Sequence, residues 1–538
     1  MRRVLVAAIA LVVALSSAAA AQSSATFVIK GKGWGHGLGL AQYGAYGFAR
    51  DGGRNYGWIL NHYYRGTTLG TAGVGRVRVL LADRVGQLSV GSRAAFSVRD
   101  ANGRTFNLRA GTYVLGSPLR VRTASGQRRR LASPVRFRPG PAVLRLSGNP
   151  YRGVLHVRTR SGRLSAVNDI GLEPYIKGVI AWEMPASWHP QALRAQAVVA
   201  RTYGLISRKS GAWFDLYDDT RSQVYGGVRA EHPRTNNAVD ASRGEVVRSN
   251  GALAWTVYHS TSGGMTASRR DEWGPPGIPY LVSVDDPHDD LSPHHRWGPA
   301  DGDDDCPNAG RDCVWTAGAL KRELGSRAPA SIRDFAVRVR NSSKRVARAR
   351  LSGPSGSRSI SGATLRTVLG LRSTWFSIGV LRLSGGGAIQ EGQRKTLRVL
   401  TRNIGRVTLQ RRTGSSSWVN VRRVQGRESV TVRPRATSYF RLRSRAAVGP
   451  AVKVTVRQSP RFYSLQSASS LSGVASPGDL VQVQRHEPNG GWTTVAATRA
   501  DEAGTWEAVL GVVPGVYRAS TDANGETITS PTLTIVFG

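Results

Sequence analysis

Residues 174–208 constrain the fold of this chain most strongly, because they read as two helices interrupted by a proline. Pro174 is tolerated in a first helical turn, and the apolar residues that follow recur at the spacing of one helical face, which next reaches Glu183. Pro185 ends this helix, since proline cannot continue it and restricts the residue before it. The sequence therefore predicts a carboxylate that leans toward the core from the last helical turn.

Two effects are expected to raise the pKa of Glu183. Partial burial and the negative end of the helix dipole both disfavour the charged carboxylate. A glutamate with a raised pKa is suited to act as a general acid near neutral pH. The alternative is a solvated glutamate at a helix end, and spacing alone favours that alternative.

The second helix carries a polar face that suits sugar binding. It is predicted to begin at Ser187 or His189, as the capping residue, and to run to about Arg208. Donors and acceptors combined with an aromatic ring are typical of a carbohydrate site. The residues predicted to face the carboxylate are Gln196, Arg201 and Tyr203. An ordinary amphipathic helix with a polar rim is the alternative.

The block YIKGVIAWEMPASW, followed by ALRAQAVVARTY, resembles the core of the stage II sporulation protein D family, also called the SpoIID/LytB domain. The resemblance continues in order through SQVYGG, AWTVYHSTSGGMT, PYLVSVDD and LRTVLGLRSTWF, at residues 222–227, 254–266, 279–286 and 365–376. Members of this family are lytic transglycosylases that cut peptidoglycan glycan stripped of its peptides, with the glutamate of the EMP motif as acid. The resemblance implies this role for Glu183.

A glycine-dense turn around His36 leads into two helices, predicted near 38–50 and 56–64. Glycine on both sides of His36 favours presentation of the imidazole to a cleft, although a lone histidine is usually structural. The segment resembles the GHG block of the same family, which normally ends the domain, whereas here it comes first. We predict that it still docks beside Glu183, and that His36, Gln42 and Tyr43 contact the substrate.

This permuted order makes a geometric prediction. The end of the core, at 375–376, should lie near the start of the mature chain, around 23–27, since permutation is tolerated where termini lie close together. Residues 1–21 read as a signal peptide: two arginines, a short apolar run and small residues before Gln22. The protein is therefore expected to be secreted or associated with the cell envelope, with an uncleaved anchor as the alternative.

Four further residues are candidate substrate contacts, although each also suits a structural role: Gln223, Tyr225, His259 and Ser260. Some relatives carry zinc ligands near residues 215–227, but this chain has no Cys or His between Tyr203 and Tyr225. We therefore predict no metal at that place and no cofactor.

Residues 285–313 form an acidic island, and we expect a solvated loop at the rim of the cleft. The spacing of its aspartates and histidines matches no EF-hand loop, so a metal there is a weak hypothesis. Cys306 and Cys313 are the only two cysteines, and in an exported protein they are predicted to form a disulfide.

Two related β modules are predicted at the C-terminal end. Gln410, Arg411 and Trp418 align at a constant offset with Gln484, Arg485 and Trp492, which is typical of a repeated Ig-like sandwich. Residues 386–457 hold 17 Lys or Arg against two Glu, a net charge of +15, while 458–538 hold 4 against 7 Asp or Glu, a net charge of −3. Only the first module is predicted to dock anionic wall polymers.

The expected fold class is α+β: a core with an antiparallel sheet and helices around a cleft, followed by two small all-β Ig-like modules. The predicted divisions are a signal peptide at 1–21, a core at 22–376, a linker at 377–387, a basic β-sandwich module at 388–457 and a second β-sandwich module at 458–538. Within the core we distinguish the GHG segment at 22–70, a β-rich lobe at 75–167 and the catalytic-motif region at 168–376.

Three functions are compatible with these features. The first is an enzyme that cuts between N-acetylmuramic acid and N-acetylglucosamine in peptidoglycan glycan strands, with Glu183 as acid. The second is a non-catalytic wall protein that enhances a cell-wall amidase, and the third is a polyanion-binding wall protein. The formal net charge of +41 favours polyanionic partners, and export favours wall polymers or phospholipid heads over nucleic acid; a bias toward arginine codons with a solvated surface is the alternative.

Overall fold

The computed structural model describes residues 25–73, 75–209, 211–299, 313–463, 469–523 and 526–536. The predicted signal peptide at 1–21 lies outside these residues. The helices of the described part are α1 Gln42–Arg50, α2 Tyr56–Tyr63, α3 Leu172–Glu183, α4 Pro190–Ile206, α5 Pro233–Ala241, α6 Arg269–Trp273, α7 Ala317–Leu324 and α8 Gly362–Leu369. Among the described helices, none combines the length and the hydropathy that crossing a bilayer requires. Helices and many antiparallel sheets occur together, so the chain has the predicted α+β class.

The β-rich lobe is built around a seven-stranded sheet that leads directly into α3. Its strands, in spatial order, are Leu216–Tyr217, Arg76–Val85, Arg163–Gly171, Val154–Arg160, Val135–Arg138, Phe96–Arg99 and Thr105–Leu108. A four-stranded sheet accompanies it, with the order Asn149–Tyr151, Leu144–Leu146, Leu88–Ser92 and Gly111–Leu115. Alternating apolar residues of these strands pack with one face of α3 and part of α4 in a single core.

A second sheet joins the two ends of the core, and we call it the joining sheet. Its spatial order is Arg296–Trp297, Ala25–Lys32, Phe376–Ser384, Lys395–Arg402 and Arg427–Val432. The N-terminal strand pairs antiparallel with Phe376–Ser384, and Gly31 lies opposite Phe376. The two segments that the permutation was predicted to bring together are therefore neighbouring strands.

The joining sheet corrects the prediction of a linker at 377–387. Most of that segment belongs to the strand Phe376–Ser384. Side chains of this strand are buried on both faces of the sheet, in two separate hydrophobic cores. The glycines that follow it suggested a flexible connection, but the preceding residues pair with strands on either side. Composition alone does not reveal a strand whose partner lies about 350 residues away in the sequence.

The basic module packs onto the joining sheet through a five-stranded sheet, which we call the module sheet. Its order is Gly387–Gln390, Val452–Arg457, Ser438–Ser444, Val407–Thr413 and Val419–Val424. Leu381 and Leu383 of the joining sheet share a core with Leu409, Phe440 and Leu442 of the module sheet. The basic module is thus built partly from strands that continue the core.

The sequence repeat in the two modules corresponds to a repeated side-chain arrangement. In each module an arginine on the neighbouring strand donates through Nε to the repeated glutamine, at 3.0 and 2.8 Å, and lies over the repeated tryptophan, at 4.0 and 4.2 Å from the ring centre. The residues concerned are Gln410, Trp418 and Arg441 in the first module, and Gln484, Trp492 and Arg518 in the second. The Ig-like character of the modules stays a prediction.

Candidate active site

Glu183 ends α3, as the proline predicts. The backbone N–H of Met184 caps the helix by donating to Ile180 O, and the chain then becomes extended. The opposite side of the cleft begins with α4, where the His189 side chain caps the helix and Pro190 occupies the first turn. Local sequence therefore sets the position of the carboxylate at the junction of two helices.

Three donors converge on the Glu183 carboxylate from three separate segments. The hydroxyl of Tyr258 donates to Oε1 at 2.9 Å, and Nε2 of Gln42 donates to Oε2 at 3.3 Å. The backbone of Val224 provides a third hydrogen bond. The carboxylate is thus held in one orientation at a partly exposed site.

Burial is the main influence on the pKa of Glu183 and raises it above the ordinary value for glutamate. The hydrogen bonds from Tyr258, Gln42 and Val224 act in the opposite direction, because they stabilise the carboxylate, but they do not cancel the effect of burial. Among the described residues, no second carboxylate contributes to this shift. The site therefore contains one acid that holds its proton more tightly than a solvated glutamate.

A chain of hydrogen bonds orients Tyr258 toward the acid. The Tyr175 hydroxyl donates to Oε1 of Gln223 at 3.1 Å, and Nε2 of Gln223 donates to the Tyr258 oxygen at 3.2 Å. The Tyr258 proton is then free to point at Glu183. Burial, with the nearby Glu183 carboxylate as a smaller cause, raises the pKa of Tyr258 well above its ordinary value, so this proton is retained.

The permuted GHG segment does dock at this site. Its short strand Leu40–Ala41 pairs in parallel with Tyr258–His259, and Gln42 at the start of α1 reaches Glu183. The helix begins at Gln42 rather than near residue 38, because the residues before it form that strand. Gln42 therefore lies where the sequence predicted it.

His36 lies on the other side of that strand pair. Successive side chains of a strand point to opposite faces, so His259 points away from Glu183 when Tyr258 points toward it. The His36 ring is 5.6 Å from the His259 ring and hydrogen-bonds the Tyr258 backbone. This corrects the expectation that His36 faces the acid.

The His36 imidazole is neutral in this position. Its pKa is lowered to about 3, mainly by burial and to a smaller extent by the guanidinium groups of Arg366 and Arg345, against a smaller opposing effect of the Tyr258 backbone. Nδ1 accepts a hydrogen bond from Leu38 N at 3.0 Å, which leaves the proton on Nε2. The glycine before His36, Gly35, has φ of 119°, and a Cβ there would lie 2.6 Å from His259 Cβ, so that glycine serves close packing.

Tyr203 lies at the cleft and Tyr43 flanks it, whereas Gln223 is 1% exposed and reaches Glu183 only through Tyr258, which corrects its assignment as a substrate contact. The Tyr203 ring lies 6.2 Å from the Tyr258 ring, and both are half-buried. The Tyr43 ring packs at 4.7 Å against Trp188.

The structure does not bring the other predicted contacts to the carboxylate. Gln196 and Arg201 are fully buried, and Tyr225 and His259 are 4% and 5% exposed. Tyr225 donates to Asn168, and His259 is hydrogen-bonded to Leu38 O. The Ser260 carbonyl accepts from the Tyr43 backbone. The burial of Gln196, Arg201, Tyr225 and His259 corrects the expectation that they face the substrate, whereas the half-buried Ser260 remains a predicted contact.

Sequence reasoning missed three contributors: Tyr258, Tyr175 and the Val224 backbone. Tyr258 stands next to His259 in the motif YHSTSGG, and only pairing with Leu40–Ala41 decides which of the two faces the acid. Trp182 was also missed. It precedes Glu183, is 60% exposed and packs near Gly226, so it offers a flat apolar surface for a sugar ring.

The expectation of a solvated acidic loop holds for Asp285 and Asp290, which are exposed, but is wrong for two other aspartates. Asp286 and Asp289 are fully buried. Asp289 accepts hydrogen bonds from Thr261 and from the backbone of Ser262 and Gly263, and Asp286 accepts one from Tyr63. They hold the turn that follows Tyr258. Cys313 is disulfide-bonded, and Cys306, the only other cysteine, lies outside the described residues.

Comparisons with known proteins match the segment that carries Glu183. The family model "Stage II sporulation protein", SpoIID, matches residues 160–248. The amidase enhancer of Bacillus subtilis (strain 168) is 42% identical over 114 residues, which is 21% of this chain and 15% of that protein. Stage II sporulation protein D of the same organism is 28% identical over 228 residues, which is 39% of this chain and 61% of that protein.

A second stage II sporulation protein D, from Bacillus amyloliquefaciens, is 30% identical over 228 residues. This match covers 39% of this chain and 61% of that protein. The chain therefore spans less than two thirds of the length of these relatives. Among solved structures, the immunoglobulin domains 1-5 of Sidekick-1 align with 28% of this chain and 35% of that chain at 15% identity, with a TM-score of 0.17, and no inference rests on this likeness.

Proposed function

Because this chain belongs to the SpoIID/LytB family, we propose that it is an exported lytic transglycosylase acting on peptidoglycan glycan strands stripped of their peptides. The names of the relatives support a cell-wall-related function and an extracellular or envelope location. The observation that carries the proposal is the partly buried carboxyl group of Glu183, which has a raised pKa and three convergent donors.

Glu183 would act twice in the reaction. Its carboxylic acid first donates a proton to the oxygen of the bond between N-acetylmuramic acid and N-acetylglucosamine, so that this oxygen leaves as a hydroxyl. The 6-hydroxyl of the muramic residue then attacks C1 of its own ring and gives its proton to the Glu183 carboxylate. An anhydro ring forms, no water is consumed and the acid is restored.

The donors around Glu183 suit this cycle. Tyr258, Gln42 and Val224 stabilise the carboxylate that exists between the two proton transfers, while burial favours the protonated resting state. A hydrolase of the usual kind needs a second carboxylate close by, about 5–10 Å from the first. Among the described residues, no carboxylate is a cause of the raised pKa of Glu183, which is consistent with a single acid and the intramolecular route.

A second candidate function rests on the similarity to the amidase enhancer. In that alternative the cleft binds glycan without cutting it, and the protein increases the activity of a separate cell-wall amidase. Both functions use the same cleft, so only the products distinguish them.

The first experiment incubates the mature protein with glycan strands with and without stem peptides, and identifies the products by mass spectrometry. We expect cleavage of stripped strands with anhydro ends. Ordinary reducing ends would make the protein a hydrolase. Intact strands, together with faster digestion by an added amidase, would support the enhancer function instead.

Replacing Tyr258 by Phe tests the hydrogen bond to Glu183. The bond stabilises the carboxylate, so its loss should raise the pKa of Glu183 further. Cleavage by a general acid is lost as the pH rises through its pKa, and the alkaline limb of kcat/KM should therefore move to higher pH, with about a tenfold lower maximum. A pH profile measured on both proteins checks this. An unchanged limb would show that Tyr258 does not tune the acid.

A further inference from the structure

Four neighbouring cavities lie in a row that passes Lys32 and Lys30 of the strand Ala25–Lys32 and ends on the module sheet. Neighbouring cavities share lining residues: Lys32 joins the first to the second, Lys30 the second to the third, and Arg406 the third to the fourth. Their volumes are about 730, 250, 450 and 400 Å³ in that order. We call this the strand groove. It runs from the turn at Gly263 onto the module sheet.

The groove exists because the module sheet covers only part of the joining sheet. Val28, Lys30 and Lys32 share one face of the N-terminal strand, since side chains alternate. Val28 is buried under the module sheet, in the core that also contains Leu381. The strand continues beyond that cover, so Lys30 and Lys32 remain partly exposed along the floor of the groove.

The walls of the groove are basic. In the second, third and fourth cavities, no described lining residue is an aspartate or a glutamate, whereas Asp286 and Asp290 line the first. Cations line all four. Several of these cations make no ion pair with the described residues: Lys30, Lys32, Arg296, Arg406 and Arg443.

The cations also crowd one another. Burial is the main reason that the pKa of Lys32 is lowered, and the charges of Arg296 and Lys344 lower it further. Arg296, Arg406 and Arg443 are exposed at the walls. An anion placed between such groups would relieve their mutual repulsion, which gives the groove a preference for negative charge.

We propose that the strand groove binds a linear polyanion whose charges are phosphodiesters. The row of adjoining cavities suits an extended polymer, because its lining residues run from the turn at Gly263 past Lys32 and Lys30 to Arg406 and Arg443 of the module sheet. Along this row lie several cations that make no ion pair with the described residues, among them Lys30, Arg296 and Arg406. A phosphodiester polymer carries a charge in every repeat, whereas in stripped glycan only every second sugar carries a carboxylate. Guanidinium groups also match phosphate oxygens in geometry.

This site differs from the one that the charge of the basic module predicted. Arg406 and Arg443 belong to that module, but Lys30, Lys32 and Arg296 belong to the core. The polymer therefore contacts both parts of the chain at once. Binding at this groove is independent of Glu183, which is not among its lining residues.

The test compares two triple variants of the mature full-length protein. The groove variant carries Lys30→Gln, Arg406→Gln and Arg443→Gln. The control removes the same charge from the exposed strand Arg128–Arg130, through Arg128→Gln, Arg129→Gln and Arg130→Gln. Binding to poly(glycerol phosphate) of defined length is measured by fluorescence anisotropy between 50 and 200 mM salt, values chosen because affinities of this kind are steeply salt-dependent there.

The groove variant should lose at least about tenfold in affinity. The steepness of its plot of log affinity against log salt should fall by roughly 2, because each of the three lost contacts to a flexible chain contributes about 0.7. The control should stay within about threefold of the unsubstituted protein. Circular dichroism verifies that both variants fold. Equal losses in the two variants, or no loss in either, would overturn the proposal.

Two further arms distinguish this proposal from others. Stripped glycan that displaces the polymer from the groove at equal concentration would overturn the phosphodiester assignment. The variant Glu183→Gln should bind the polymer as the unsubstituted protein does. A failure of glycan cleavage is therefore separable from a failure of polymer binding.

Discussion

Replacing Glu183 by Gln should abolish glycan cleavage while the protein stays folded. General acid catalysis contributes about a hundredfold to ten-thousandfold to a reaction rate, so we expect the rate to fall by roughly a thousandfold. The amide has nearly the shape of the carboxylate but cannot donate a proton to the leaving oxygen at a useful rate. Single-turnover digestion of stripped glycan strands measures the effect.

The stability of this variant should change little, for two opposing reasons. Three donors converge on the Glu183 carboxylate, and a glutamine side chain has a single acceptor oxygen, so one donor loses its partner at a cost of about 1–3 kcal/mol. The variant also no longer buries a group whose charged form is disfavoured there. A denaturant melt should therefore show a shift of at most about 2 kcal/mol in the free energy of unfolding.

Glu272→Gln is the matched control for this prediction. Glu272 is also partly buried, burial raises its pKa, and it accepts a hydrogen bond from Thr374 away from Glu183. It should keep near-normal turnover. If Glu183→Gln also keeps near-normal turnover, the acid assignment fails. If the Glu183→Gln and Glu272→Gln variants both leave glycan intact but accelerate an amidase equally, the enhancer function replaces the lytic transglycosylase function.

The sequence predicts the parts of this site that depend on local chemistry. Pro185 and the cap at His189 mark where α3 ends and α4 begins, and apolar periodicity points Glu183 toward the core. The order of motifs also predicted that the GHG segment returns to the acid, and Gln42 does so. These inferences need only helix geometry and the pattern of blocks along the chain.

Contacts between residues that are far apart in the sequence could not be predicted from helix geometry or from the order of motifs. Tyr258 lies 75 residues from Glu183, and Gln42 lies 141 residues away. A helical wheel shows which face Arg201 occupies, but not that Glu173 of α3 lies opposite it. Likewise, a strand at 376–384 is hard to distinguish from a linker until its partner at 25–32 is known.

The buried ion pair between Arg201 and Glu173 yields the second prediction of large effect. Two hydrogen bonds of 2.8 and 2.7 Å join the guanidinium to the carboxylate, and the side chains are 0% and 2% exposed. Arg201 also donates to the carbonyls of Glu245 and Val239. The pair therefore ties α3 and α4 to α5 and to the strand that follows it.

Glu173→Gln should lower the free energy of unfolding by about 3–5 kcal/mol, because it leaves the guanidinium buried without a counter-charge. The control is Asp240→Asn, which breaks the pair between Lys177 and Asp240. This pair also links α3 to α5, at 2.7 Å, but its side chains are 22% and 48% exposed. An exposed pair contributes about 0–1 kcal/mol, so the control should melt almost as the unsubstituted protein does.

The same variant tests the structural role that the burial of Arg201 indicates. If it is structural, the fraction of Glu173→Gln that remains folded at low temperature should cut glycan with the kcat and KM of the unsubstituted protein. Its instability would then appear only on heating or in denaturant. A variant of normal stability with a raised KM would instead return Arg201 to the binding role that its position on α4 first suggested, since the guanidinium would then have to reach the glycan.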